Sequence, residues 1–185
     1  MSNDSGHAVA AIPGYKSGTW KVDPAHSGIA FSVRQLLITT VSGRFTRYDV
    51  TIVTGEDPLG SSVNATIELA SLDTGNEKRD DHIRSDTFFD VAKHPTASYR
   101  STGIRRAGEG WVIDGDLTLH GITRNVPLAV AVTGFGPGPD GGQRACFSAT
   151  AQVNRGEFGI NGWTGGGLVV SDKVPMSFEI HAIRR

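Results

Sequence analysis

The chain has 185 residues and a single cysteine, Cys146, so it is long enough to bury a core and has no intrachain disulfide to staple one. Its 18 Lys and Arg nearly cancel 19 Asp and Glu, and the densest basic groups, Arg105-Arg106 and Arg184-Arg185, carry no interleaved aromatics. That excludes the concentrated basic face with which nucleic-acid binders replace phosphate counterions.

Met1–Ala11 lacks the basic region and the ~7–15-residue apolar core of a secretory signal. No stretch approaches the roughly 18 apolar residues of a spanning helix. The expected location is therefore cytoplasmic, without a membrane span, and a free thiol is compatible with that reducing compartment.

Residues 1–17 are small and polar and read as a disordered or loosely docked tail, which puts the folded domain at 18–185. From there the dominant period is two. Ile29, Phe31 and Val33 form the first apolar row, and Val63, Ala65, Ile67 and Leu69 the second. Val126, Leu128, Val130 and Val132 form the third. Ala145, Phe147, Ala149, Ala151 and Val153 make the fourth, and Val174, Met176, Phe178 and Ile180 the fifth. Strict alternation gives strands one wet and one dry face, which favours antiparallel sheet. Ala107-Gly108-Glu109-Gly110 and the Gly/Pro-rich stretch Gly134–Gly142 read as turns between such strands.

One segment breaks the period. Thr74 followed by Glu77 reads as a capping box opening a short helix to about Ser85, with a further helical turn over 86–91. His94-Pro95 then forces the chain extended. The expected class is all-β: about eight antiparallel strands closed into a barrel, with the helical segment at one mouth. A barrel of that size has room for one small ligand. An open sandwich satisfies the same alternation but leaves edges to manage.

The order of several motifs resembles the YceI-like, polyisoprenoid-binding family. They are Trp20-Lys21-Val22-Asp23-Pro24-Ala25-His26-Ser27, Val41-Ser42-Gly43-Arg44-Phe45, and Leu72-Asp73-Thr74 with Arg79–Asp86. Gly115–Arg124, Asn154-Arg155 and Asp172-Lys173-Val174 follow. The resemblance spans Gly18 to Ala182. It implies a lipocalin-like barrel whose interior takes a polyisoprenoid or isoprenoid-quinone tail, with no cofactor and no enzyme activity. Family members are often exported and often dimeric, which allows a homodimer; the absence of a signal departs from the exported members. Gln35 stands where many relatives carry histidine, and Ser42 where a basic residue is frequent.

With that ligand in view, the candidate binding residues are Phe31, Val33 and Leu36 on the first strand, then Phe45, Val50 and Ile52. Ile67 and Leu69, Phe88 and Phe89, and Tyr99 follow, with Ile113, Leu117 and Leu119 after them. Phe147, Phe158, Ile160, Trp163 and Phe178 complete the set. Small residues among the inward rows leave room that large ones fill, although an inward row is equally the mark of a packed core. Phe88 and Phe89 either close the mouth or pin the helix; Trp163, in a Gly-rich run, is either a flap or an anchor.

Asp73, Arg79, Asp80, His82 and Arg84 crowd the helix, where residues three and four apart align. They read as a structural network, with a head-group or catalytic site on a lipid-like substrate as the alternative. A barrel with a filled core is the third reading. Arg155 is expected to pair with Glu157. His26, His82, His94 and His120 show no local ligand spacing, so no metal is expected. Cys146 has no neighbouring base in sequence and is not expected to act as a nucleophile.

Overall fold

A computed structural model describes residues 11–35, 38–161 and 170–185. The five alternating rows belong to a ring of eight strands. These are β1 (Gly18–Val22 and Gly28–Gln35), β2 (Thr39–Phe45 and Tyr48–Thr54), β3 (Ser62–Glu68) and β4 (Thr96–Ala107). The chain continues through β5 (Gly110–Leu119), β6 (Ile122–Asn125 and Leu128–Pro137), β7 (Gln143–Asn154) and β8 (Lys173–Arg184). Each pairs antiparallel with the next, and β8 returns to both arms of β1, through Ala182↔Val22 and Phe178↔Ile29. Closure leaves the ring without an edge strand, which decides for the barrel over the open sandwich.

Three strands are bent into two arms. In β1 the corner spans 23–27 and is fastened to β7 and β8. The Asp23 amide donates to the His181 carbonyl (2.7 Å), and its carboxylate accepts from Arg144 (3.0 Å) and His26 (2.7 Å). A two-residue turn, Gly108-Glu109, joins β4 to β5, with Gly108 at φ +60. The Gly134–Gly142 turn is shorter than expected. The strand runs on to Pro137 past a bulge between Val132 and Gly134, and only Gly138–Gly142 remains loop.

The helix α1 spans Glu77–Arg84 and lies between β3 and β4, next to the two-residue strand Leu72–Asp73. Its cap is Asn76, whose side chain accepts from the Arg79 amide (3.0 Å), not Thr74. Gly75 at φ +78 turns the chain left-handed between Thr74 and the helix, so Thr74 faces Asp80 instead. Beyond α1 the chain makes tight turns in place of another helical turn. Phe88 and Asp90 amides both donate to the Ser85 carbonyl, and His94 to that of Asp90.

Buried residues gather at both ends of the barrel. Ile29, Leu69, Leu72 and Phe158 pack at the helix end, and Trp20, Ile52, Ala145 and Ala182 at the other. Trp20 is wholly buried; its indole N–H donates to the Thr54 hydroxyl (2.8 Å), which donates to the Lys16 carbonyl (2.8 Å). The segment before β1 therefore docks. Tyr15 donates to the Gly55 carbonyl (2.7 Å) and sets its ring edge-on against Phe135 (5.2 Å). The tail residues 1–10 lie outside the described residues.

Candidate functional site: an apolar lumen

Two cavities follow one another along the barrel interior, one of about 180 Å³ at the Tyr15 end and one of about 160 Å³ at the helix end. Ile67, Leu117, Val153 and Met176, from β3, β5, β7 and β8, border both. These four apolar side chains mark where the two cavities meet. Strands of 12 residues, tilted as barrel strands are, make the barrel interior roughly 30 Å tall. The dimensions suit a long, narrow, apolar molecule.

The candidate residues distribute along this interior. Val50, Ile52, Tyr99, Ile113, Phe147 and Phe178 border the Tyr15-end cavity, and Ile67 and Leu117 border both. Phe31, Val33, Phe45, Leu69, Phe88, Phe89, Leu119 and Ile160 border the helix-end cavity. Phe158 is the exception. It sits on a 3-10 turn, Arg155–Phe158, where the period of two does not hold, and it is buried in the core beside the lumen, outside its wall. Leu36 and Trp163 lie outside the described residues. The wall also takes Ala65, Ala149 and Val130 from the alternating rows, and Ile12 and Tyr15 from the segment read as tail.

Residues 20–182 match the YceI-like domain. The chain belongs to the YceI-like family. Protein YceI of Escherichia coli is 36% identical over 159 residues, covering 84% of this chain and 80% of that one. Protein YceI of Salmonella newport is 36% identical over 182 residues, covering 97% and 87%. BcnA of Burkholderia cenocepacia has a TM-score of 0.76 at 24% identity, with 86% and 98% of the two chains covered. A polyisoprenoid binding domain from Saccharophagus degradans has a TM-score of 0.71 at 17% identity, covering 92% and 100%. At those identities the two structures establish the shared barrel. Among the described residues no helix is long and apolar enough to cross a membrane.

In this YceI-like barrel the charged residues of the wall, Arg79 and Arg155, stand at the helix end beside Gln35, while Tyr15, Thr54, Ser61 and Tyr99 are the polar residues of the other cavity. Ser42 is exposed on the outer face of β2. Three of the helix charges are engaged with backbone. Asp80 is buried and accepts from the Thr74 amide and hydroxyl; Arg79 donates to the Thr74 hydroxyl and carbonyl (both 2.8 Å). Arg84 donates to the Ala70 (3.0 Å) and Leu72 (2.7 Å) carbonyls. This set clamps α1 onto the barrel rim.

Arg155 pairs with Asp172 (3.3 Å), not Glu157. Its guanidinium also donates to the Ile160, Val170 and Ser171 carbonyls, which orients it away from its near neighbour in sequence. Tyr99, in the wall, donates to the Val126 carbonyl (2.9 Å), and burial followed by the Asp114 and Asp116 charges pushes its phenol well above the ordinary value. It stays a neutral donor. Tertiary pairing supplies what sequence adjacency withheld at Cys146, whose sulfur lies 3.6 Å from His181 Nδ1 on β8. It also gathers Asp90, His94 and His120 into one cluster.

Proposed function

We propose that the protein is a carrier that shields a long isoprenoid lipid from water, with the tail threaded through the lumen. The carrying observation is the pair of cavities bordered by the same four apolar side chains, whose walls among the described residues are almost wholly apolar. Apolar burial contributes about 25 cal/mol per Å², so a few hundred Å² of ligand is held firmly without charges. The head group belongs at the helix end, where the Gln35 side chain borders the lumen together with the positive charges of Arg79 and Arg155. The polyisoprenoid binding domain from Saccharophagus degradans, which shares the fold, supports this ligand class.

Binding without catalysis is favoured by the helix network. Asp80, Arg79 and Arg84, three of the groups an enzyme reading draws on, hold backbone instead. The test is to purify the protein without detergent, extract it with organic solvent and analyse the extract by mass spectrometry. A prenyl-repeat lipid at near-stoichiometric amount supports the carrier. Protein that emerges empty and takes up no added isoprenoid quinone overturns it.

A further inference from the structure

We infer that Asp90, His94 and His120 form a binding site for a divalent transition metal, zinc being the first to try, at the rim of the barrel. Their ligand atoms all lie within 4.8 Å of one another, and each residue is half-buried. The imidazoles of His94 and His120 meet edge to face, with ring centres 4.9 Å apart. Two imidazoles and one carboxylate are the donor set that zinc and its neighbours in the series prefer. Three protein donors also leave a coordination position for water or another small ligand.

Three further features fit this assignment. First, His120 Nδ1 lies 3.1 Å from the Phe158 carbonyl. A carbonyl only accepts, so the proton sits on Nδ1, and Nε2 is left with its lone pair available. This is the arrangement by which a backbone carbonyl sets the tautomer of a ligating histidine.

Second, Asp90 (φ 49) and His120 (φ 54) are the two non-glycine residues at positive φ among those described. His120-Gly121 is the two-residue turn between β5 and β6, where Asn, Asp or Gly is the ordinary choice at the first position. Two members of one three-residue cluster in strained conformations point from strain toward a site. Third, Gly121 (φ +74) faces the ring of His94, and a Cβ there would sit 3.0 Å from its Cε1. Glycine keeps the approach of His94 open.

Donor atoms on a tetrahedral zinc sit about 3.3 Å apart. The present spacing has to contract to reach that geometry. The competing cation is Lys93, whose ammonium is 3.8 Å from the Asp90 carboxylate and whose side chain is 77% exposed, free to swing away. Metal bound here ties the segment that carries Phe88 and Phe89 to the β5–β6 turn.

The experiment is isothermal titration of the metal-stripped full chain with Zn²⁺. Co²⁺ is titrated in parallel and read by its visible absorption. The expected result is one high-affinity site. Asp90→Asn and His120→Asn, which tolerate positive φ, and His94→Gln should each weaken it at least about tenfold. Zn²⁺ should raise the Tm of the parent but not of these variants, as mass action on the folded state requires. His26→Gln should bind as the parent does, because His26 lies in the β1 corner, in a different part of the fold. A parent that binds no Zn²⁺, or Asp90, His94 and His120 variants that bind it as tightly as the parent, overturns the assignment.

Discussion

Phe31 and Gly43 are direct partners across the β1–β2 hairpin, and the Phe31 ring occupies the space that a side chain at residue 43 would need. The same ring borders the helix-end cavity and packs against Phe45 (centres 5.4 Å apart). Glycine thus lets an aromatic lie flat on the strand, where it shapes the lumen without filling it. Gly43→Ala should drive the ring off this seat at a cost of about 1–3 kcal/mol. In a chain of this size each kcal/mol lowers Tm by roughly 2–4 °C, so a thermal melt reads it directly.

Ala149 leaves space in the Tyr15-end cavity opposite larger neighbours. Ala149→Phe should fill that space and lower the lipid recovered per mole of protein several-fold, with Tm held or raised. Solvent extraction with quantitative mass spectrometry gives the ratio. Undiminished lipid in a folded variant would move the binding site out of this cavity.

Phe89 borders the helix-end cavity and packs against Phe45 (6.4 Å), immediately before the chain turns at Asp90. Phe89→Ala, like Phe88→Ala, should speed lipid release more than it lowers the melting temperature. Transfer of a fluorescent isoprenoid analogue to acceptor vesicles measures the rate. Equal rates in variant and parent would leave these rings with only a packing role.

Hydrogen bonds from His26 and Arg144 hold the Asp23 carboxyl below its ordinary value. A carboxyl depressed in the folded state contributes stability that is complete above the ordinary value near 4 and lost as pH falls through the folded value. Urea midpoints of the parent should therefore fall below about pH 4. Asp23→Asn should be less stable at pH 7 and show a shallower acid loss, because the ionisable partner of Arg144 and His26 is gone.

Much of the barrel was legible because side chains on a strand alternate between faces. The rows from Ile29 to Val33 and from Ala145 to Val153 could be read as dry faces from spacing alone, and they do line the interior. Irregular backbone carries no such period. Phe158, on a 3-10 turn, lies in the core beside the wall, and Tyr15, in a polar stretch before the first strand, borders the lumen; neither position belongs to an alternating row. Thr74 matched a capping pattern that Gly75, by turning left-handed, transfers to Asn76.

The inward faces of the strands can be read from the chain alone, because alternation is local and needs only neighbours one and two positions away. Ring closure, and the groups that meet because of it, were decided by the tertiary structure. Asp90 and His120 are 30 positions apart, and Cys146 and His181 are 35 apart. Such pairs come together only when strand register and turn geometry are set for the whole barrel, and no local pattern encodes that distance.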